Sequence, residues 1–309
     1  MAQENISSRI DSLFSSFIKT AEPGGAVLIA KGEQIIFSKG YGIADINSKE
    51  LITPHTIFNT GSVSKTFVSN AILLLQQRNL LSLDDNMLKY FPENNKVNIE
   101  KTADQADKLE FAPGSRYKYS NPAFNALALI IEKITGNKWQ QFVQTEIFAK
   151  ANMTESDITD GSHPETGVSH GYEKENRIFK ELDYGEEPTF SAAGNGGIWC
   201  SVTDLHKYYL ALQKPAFLNK EIIAGSMQVK RFDNWSSEKE PNNGYSWFIT
   251  KAINGLERIG HTGSQGGFRA NFQFIPEKKI FVGMLFNTPH NCDILLEKIE
   301  QILKEENYL

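Results

Sequence analysis

Segments with the pattern of β-strands stand almost entirely at the two ends of this chain. Residues 26–39 hold two apolar segments around the turn Lys31-Gly32-Glu33, which predicts a β-hairpin. Near the other end, apolar and polar residues alternate over 245–249 and 272–274, and 280–286 is a continuous apolar run typical of a buried strand. Because short turns join these segments, we expect neighbouring strands to be antiparallel.

This distribution predicts one five-stranded antiparallel sheet built from both termini. Apolar residues at helical spacing predict a helix at each end of the chain, and the simplest packing puts both helices on one face of the sheet. The fold class is then α/β, of the α+β kind. Residues 1–53 and 241–309 form the sheet domain, and 54–240 form a mainly helical inserted domain with the active site between the two.

Little strand pattern occurs in the middle of the chain. Helices are predicted there over 62–79, 122–135, 138–149 and 202–213. The segments 156–192 and 214–244 are predicted to be irregular, and long loops of this kind usually border a binding site.

Composition excludes several classes of protein. With 309 residues, 40% hydrophobic and 22% charged, the chain is an ordinary globular protein, and its net charge of −5 argues against nucleic acid as a partner. No apolar run approaches the length of a membrane span. The six histidines lack metal-ligand spacing, and Gly194-Asn195-Gly196-Gly197 lacks the lysine of a phosphate-binding loop. We therefore predict neither a metal nor another cofactor.

Two further features concern the compartment. Cys200 and Cys292 are far apart in sequence, and two separate thiols are favoured over a disulfide. The residues after Met1 lead directly into an amphipathic helix without the pattern of a signal peptide. The protein is then either cytoplasmic or a mature form with an added start methionine.

The pattern Ser-x-x-Lys occurs four times, and Ser62-Val63-Ser64-Lys65 differs from the others in its context. A long apolar helical segment follows it, so Ser62 is expected at the N-terminus of a buried helix, where free N–H groups favour an oxyanion. Ser62 and Lys65 would share one face, which places an amine beside a hydroxyl and activates a poor nucleophile. The alternative is a helix cap at Ser62 and a lysine that extends to solvent.

Two more motifs follow in order. Tyr119-Ser120-Asn121 precedes Pro122, which predicts Asn121 as a helix N-cap and Tyr119 at the helix entrance. His261-Thr262-Gly263-Ser264 opens a strand, and its glycine would let a substrate backbone approach closely. Taken alone, the first is explained by a core tyrosine and the second by a hairpin with an exposed histidine. Their occurrence together with Ser62-Lys65 favours an active-site serine hydrolase.

The three motifs resemble those of the serine β-lactamase and penicillin-binding-protein-like hydrolases. The forms Tyr-x-Asn and His-Thr-Gly are similar to those of class C β-lactamases, HTG-type DD-peptidases and the related esterases. The resemblance extends over most of the chain, through segments such as Phe58-Asn59-Thr60-Gly61 and Phe111-Ala112-Pro113-Gly114. It implies a β-lactamase/transpeptidase-like fold and a periplasmic or extracellular location, with a cytoplasmic one as the alternative.

The resemblance also implies roles for single residues. Ser62 would be the nucleophile, and Lys65 and Tyr119 would share the general-base work. Asn121 would hold the substrate's amide or orient Lys65. The reaction would be acyl transfer through an acyl-enzyme on Ser62.

On the sheet side, the backbone N–H groups of Ser62 and Ser264 would form the oxyanion hole. His261 and Thr262, followed by Gly263, would line the pocket for the substrate's carboxylate or leaving group. The partner is thus a small ester, amide or peptide, and the oligomeric state is left open.

Two departures from the family pattern bear on the substrate. The segment 92–111 is short, which would leave the cleft more open or remove support from the loop of Tyr119. His261 stands where β-lactamases have a lysine, and a histidine is mostly neutral near pH 7. We therefore expect an esterase or D-amino-acid peptidase rather than an efficient β-lactamase. The alternative is a noncatalytic sensor of penicillin or peptidoglycan fragments on the same fold.

Overall fold

The structure is a computed structural model, and it describes residues 5–91, 112, 115–159, 166–176, 178–182, 194–231 and 242–309. The strands in chain order are β1 Gly25–Lys31, β2 Gln34–Tyr41, β3 Phe58–Asn59, β4 Asp157–Ile158, β5 Tyr172–Glu175, β6 Ile178–Glu181, β7 Ile198–Cys200, β8 Phe248–Lys251, β9 Glu257–Gln265, β10 Phe268–Ile275 and β11 Ile280–Phe286. The α-helices are α1 Ile6–Ser15, α2 Ser64–Gln77, α3 Asn121–Thr135, α4 Trp139–Val143, α5 Val202–Gln213, α6 Lys220–Ser226 and α7 Cys292–Glu305.

The main sheet has the strand order β2-β1-β11-β10-β9-β8 and is antiparallel throughout. The predicted antiparallel sheet from both termini is therefore confirmed, with β1 and β11 paired from Gly25 opposite Phe286 to Lys31 opposite Ile280. The predicted number of five strands is wrong, because the described part of this sheet has six. The additional strand is β9, which begins at Glu257 rather than opening at His261, and whose glycines and polar residues hide the alternation that marks a strand.

The two terminal helices cover one face of this sheet. Side chains of a strand alternate between faces, and Val27 of β1 and Met284 of β11 contribute to a core with Phe14 of α1 and Ile299 of α7. The predicted packing of both helices on one face is thus confirmed.

The opposite face carries a second and larger core. Ala26 and Leu28 of β1 pack there with Phe272 of β10 and with the buried residues of α2. In this core Phe67 stacks on Tyr208, with ring centroids 3.9 Å apart. Since one apolar core runs from the sheet into the helical region, the division into domains at 53/54 and 240/241 stays a prediction.

The predicted helices are present with shifts of a few residues, and α4 continues as a π-helical turn over Gln144–Phe148. One helix was missed, α6, which lies within the segment predicted to be irregular. Its signal is Asn219, whose side chain accepts a hydrogen bond from the backbone N–H of Ile222 at 2.9 Å and caps the helix.

Three other predictions concern the cysteines, the segment 92–111 and membrane spans. Cys200 and Cys292 are both free thiols, as predicted. The short segment 92–111, with its expected effect on the cleft, lies outside the described residues. Within the described ranges, no helix has the length and apolar character needed to cross a membrane.

Candidate active site

A short 3₁₀ turn over Gly61–Val63 leads into α2 and presents the hydroxyl of Ser62. Strand β7 fixes this turn from one side. The hydroxyl of Thr60 donates to the carbonyl oxygen of Ile198 at 2.8 Å, and the N–H of Ile198 donates to the hydroxyl of Ser64 at 3.2 Å. All three partners are buried, so the position of Ser62 depends on the core rather than on a loose surface loop.

Strand β9 lies against the same turn from the other side, and two glycines make this approach close. Gly61 has a φ of +50°, and a Cβ there would lie 2.8 Å from the backbone nitrogen of Ser264. A Cβ on Gly263 would lie 2.0 Å from the carbonyl oxygen of Thr60. Gly263 is therefore needed for contact between protein segments, in addition to any predicted role in admitting substrate.

Lys65 places its amine beside the nucleophile predicted from the sequence. Its Nζ donates to Ser62 Oγ at 3.0 Å and to the backbone carbonyl oxygen of Asn195 at 2.7 Å. The side chain is fully buried, which rules out the alternative of a lysine that extends to solvent. Ser62 and Lys65 thus face each other within hydrogen-bond distance, as the spacing predicts.

Burial also changes the acidity of this amine. No carboxylate of the described residues forms an ion pair with Lys65, and burial lowers its pKa to about 7. A substantial fraction of Lys65 is therefore neutral at physiological pH and carries a lone pair that can accept a proton.

The phenol of Tyr119 lies on the other side of this amine, with the ring centroid 5.0 Å from Lys65 Nζ. Burial raises the pKa of Tyr119, and its hydrogen bond with the Ser62 hydroxyl acts in the opposite direction. Tyr119 is therefore a neutral phenol at pH 7. The nearby amine does not reverse this, because its own pKa is low.

Helix α3 begins one residue earlier than predicted. Its N-cap is Ser120, whose hydroxyl accepts from the N–H of Ala123 at 3.3 Å, and Asn121 is the first helical residue rather than the cap. Within the described part of the chain, no hydrogen bond joins the exposed side chain of Asn121 to Lys65. Its other predicted role, toward the substrate's amide, stays a prediction.

The residue that does orient Lys65 was missed. Asn195 supplies its carbonyl oxygen to Lys65, and its side-chain amide donates to Asn125 Oδ1 of α3 at 3.0 Å. The signal was the glycine-rich segment around Asn195. Gly194 has a φ of +85°, and a Cβ there would lie 2.4 Å from the carbonyl oxygen of Phe124.

His261 lies in the interior of β9, opposite Phe272 of β10, and only 3% of it is exposed. The hairpin with an exposed histidine is therefore excluded. Its Nδ1–H donates to the carbonyl oxygen of Thr262 at 2.6 Å, and its ring lies 4.5 Å from that of Phe248. Burial lowers the pKa of His261 to about 4, against the opposing effect of the Thr262 hydrogen bond and with a smaller contribution from the nearby Lys65 amine, so the imidazole is neutral at pH 7.

Beyond His261, β9 presents an open edge to the cleft. Pairing with β8 ends where Phe248 lies opposite Gly260, so residues 261–265 have a partner strand only on the β10 side. Thr262 is half-buried and Ser264 is exposed on this segment. Gly263 contacts the turn that carries Ser62, so the backbone nitrogens of Ser62 and Ser264 belong to adjacent segments. Their role as an oxyanion hole stays a prediction.

Ser62 opens into a cleft of about 630 Å³. Tyr119, Phe248 and β9 form one wall, and the start of α7 with the residues before it forms the other. Within the described ranges, no group of three or more histidine, cysteine, aspartate or glutamate side chains is placed to hold a metal ion.

A family model described as Beta-lactamase matches residues 10–304. Among curated relatives, penicillin-binding protein 4* of Bacillus subtilis (strain 168) is 21% identical, with 99% of this chain and 78% of that protein covered. Protein flp of Staphylococcus aureus (strain MRSA252) is 24% identical over 93% of this chain. The chain spans only 64% of the length of flp.

Solved structures agree in fold. The octameric penicillin-binding protein homologue from Pyrococcus abyssi superposes with a TM-score of 0.80 at 22% identity, covering 97% of this chain and 77% of that one. The D-amino acid amidase from Ochrobactrum anthropi SV3, complexed with D-phenylalanine, gives a TM-score of 0.78 at 17% identity, covering 97% and 98%. The β-lactamase/transpeptidase-like fold predicted from the sequence is therefore confirmed.

Proposed function

This chain belongs to the Beta-lactamase family, and on that basis we propose that it is a serine hydrolase that forms an acyl-enzyme on Ser62 from an ester or an amide. One observation carries the proposal above the others. A buried lysine amine with a pKa near 7 lies 3.0 Å from the Ser62 hydroxyl. Binding alone does not require a buried amine with a lowered pKa, whereas nucleophilic catalysis requires a base at this distance from the hydroxyl.

In the acylation step, neutral Lys65 accepts the Ser62 proton as Oγ bonds to the substrate carbonyl carbon. The carbonyl π electrons move to oxygen, and the resulting oxyanion is stabilised by the N–H groups of Ser62 and Ser264. Collapse of this intermediate breaks the bond to the leaving oxygen or nitrogen, which takes the proton from Lys65 through the Tyr119 hydroxyl. Water then attacks the acyl carbon while Lys65 takes one of its protons. The bond from this carbon to Ser62 Oγ breaks, Oγ takes the proton from Lys65, and the carboxylic acid is released.

The two candidate bases, Lys65 and Tyr119, differ in pKa. Lys65 has a pKa near the working pH, which is where a general base is most effective. Tyr119 has a raised pKa and would exist as phenolate in only a very small fraction of molecules. We therefore assign proton abstraction to Lys65 and hydrogen-bond donation and proton relay to Tyr119.

The residues expected to contact the substrate favour an ester or an amide over a β-lactam. Neutral His261 offers no positive charge to the carboxylate that β-lactams carry. The D-amino acid amidase that shares this fold acts on an amide, as its name states, and supports amides as one substrate class. A weak β-lactamase activity is compatible with this site, but it is not the activity that the site favours.

The test compares wild type with Ser62→Ala on three substrates: a p-nitrophenyl ester, a D-amino acid amide and a chromogenic cephalosporin. We expect turnover of the ester or the amide that Ser62→Ala abolishes, with the cephalosporin the slowest of the three. Equal turnover by both proteins would exclude the serine mechanism. Stoichiometric labelling of Ser62 by a fluorophosphonate, without turnover of any of the three substrates, would favour the alternative of a noncatalytic sensor.

A further inference from the structure

A second cavity, of about 390 Å³, adjoins the cleft of Ser62. Tyr119, Phe248 and His261 line both spaces, so these three side chains form the wall and the entrance between them. Ser62 borders the cleft but not this second cavity. A substrate bonded to Ser62 that extends past Tyr119 would therefore reach it. We call this space the Tyr119 pocket.

The interior of the Tyr119 pocket is apolar. Ile72 and Leu73 of α2 form one side, Phe124 and Leu127 of α3 form another, and Trp247 closes it toward the sheet. These side chains belong to the large core or pack against it, so the pocket has a rigid lining. Such a surface favours an aromatic or aliphatic group over a polar one.

Charge is confined to the entrance. Among the described lining residues, the only acidic and basic side chains apart from His261 are Asp84 and Lys118, and both are exposed. A charged group drawn into the pocket would lose its hydration without gaining an ion pair inside, which is costly. The pocket therefore selects an uncharged group.

Four buried polar atoms on residues that line the pocket have no hydrogen-bond partner among the described residues, and two of them are the side-chain amide atoms of Asn243. Trp247 is 1% exposed, and its indole Nε1–H is unsatisfied. The neighbouring Ser246 has an unsatisfied hydroxyl and a positive φ of +67°. Buried donors are satisfied in the great majority of proteins, so these atoms are exceptions. They have almost no accessible surface, so they are not placed to bind an occupant of the pocket, and the apolar lining carries the argument.

The volume sets the size of the occupant. An apolar cavity of about 150 Å³ accepts benzene, so a pocket of about 390 Å³ accommodates a bicyclic aromatic group or an alkyl chain of roughly eight carbons.

We propose that the Tyr119 pocket binds the leaving-group side of the substrate, an uncharged alcohol or amine that carries a large apolar group. This inference rests on the proposed function for its orientation. The leaving atom must lie beside Tyr119 to receive its proton, and whatever is bonded to that atom extends into the adjoining pocket. The acyl part then occupies the cleft between β9 and α7.

The first experiment measures kcat/KM for the acetate esters of ethanol and of 2-naphthalenemethanol. We expect wild type to prefer the naphthyl ester by at least about tenfold, since the naphthyl group removes a large apolar surface from water. Ala123→Phe fills the pocket from the exposed first turn of α3 and should reduce this ratio to near one. Lys133→Phe adds the same ring to an exposed position outside the pocket on the same helix and should keep the wild-type ratio.

The second experiment needs no catalysis and uses binding of 2-naphthalenemethanol to Ser62→Ala, followed by ligand-observed NMR. We expect binding that Ala123→Phe weakens at least about tenfold and that Lys133→Phe leaves unchanged. If no ester is hydrolysed but this binding pattern holds, the pocket stands and the proposed function fails. If wild type hydrolyses both acetate esters with the same kcat/KM, the pocket proposal is overturned. The same holds if adding Ala123→Phe to Ser62→Ala leaves the affinity for 2-naphthalenemethanol unchanged. Neither result contradicts the proposed hydrolase.

Discussion

The amine of Lys65 lies 3.0 Å from the hydroxyl oxygen of Ser62, in a buried position where no described carboxylate neutralises it. Its second hydrogen bond goes to the carbonyl oxygen of Asn195, which has a partial rather than a full negative charge. The charged form of Lys65 is therefore poorly stabilised, and the neutral form that accepts a proton from Ser62 is available near pH 7.

This relationship predicts a cost in stability. Burial lowers the pKa of Lys65 from 10.5 to about 7, so between these values the native protein binds fewer protons than the unfolded chain. The free energy of unfolding should therefore rise with pH across this window. At pH 6 Lys65→Met should be more stable than wild type by on the order of 3 kcal/mol, and the difference should shrink toward pH 10. Denaturant unfolding at both pH values tests this, with Lys133→Met as an exposed control; a difference that stays constant with pH would contradict it.

Replacement of Tyr119 distinguishes the two candidate bases. Because burial raises the pKa of Tyr119, its phenol does not ionise in the range where activity develops. Tyr119→Phe should lower kcat by roughly 10²-fold through loss of proton relay, yet keep an ionisation near pH 7 in the profile of kcat/KM. Loss of that ionisation in the variant would instead identify Tyr119 as the titrating base.

Asn125 should act on Lys65 through Asn195. Its Oδ1 accepts from the Asn195 amide at 3.0 Å, and the Asn195 carbonyl accepts from Lys65. Asn125→Ala should lower kcat about tenfold with little change in KM and shift the acid limb to lower pH, because the ammonium form loses its best-placed acceptor. Exposed Asn137→Ala is the control. A fall in kcat with an unshifted pH profile would mean that Asn125 has a structural role only.

The close approach of β9 to the turn that carries Ser62 should not tolerate a methyl group. A Cβ on Gly263 would lie 2.0 Å from the Thr60 carbonyl oxygen, so Gly263→Ala must displace the strand or the turn. We expect loss of activity and a decrease in unfolding free energy of at least about 2 kcal/mol. Gly225→Ala, where the added Cβ meets nothing within 4 Å, should be neutral or slightly stabilising because it improves helix propensity. Retained activity in Gly263→Ala would contradict the close approach.

Much of the fold could be predicted because its signals are local. The runs of apolar residues in β1 and β11 mark buried strands, and the spacing in α1 and α7 marks helices that cover them. Strand β9 was harder to recognise, because Gly260 and Gly263, which pack closely against the backbone of Phe272 and Thr60, weaken the strand pattern.

Contacts within the site could be predicted where they depend on the spacing of residues along one helix. Ser62 and Lys65 are one helical turn apart, so their contact follows from the sequence. Asn195 contacts Lys65 through its backbone, across 130 positions of sequence, and a backbone carbonyl leaves no trace in residue type. The Tyr119 pocket likewise depends on how α2, α3 and the segment before β8 pack together, which no single segment indicates.

The central claim is that Ser62 is a nucleophile activated by the neutral amine of Lys65. The most direct measurement is the rate of fluorophosphonate labelling, followed by intact mass from pH 5 to 9 for wild type, Ser62→Ala and Lys65→Met. We predict a single label on Ser62 of wild type, with a rate that rises about tenfold per pH unit below the Lys65 pKa near 7 and then levels off. Lys65→Met should label slowly and without this ionisation, and Ser62→Ala should not label. Labelling of Ser62→Ala at the wild-type rate, or an unchanged pH profile in Lys65→Met, would contradict the claim.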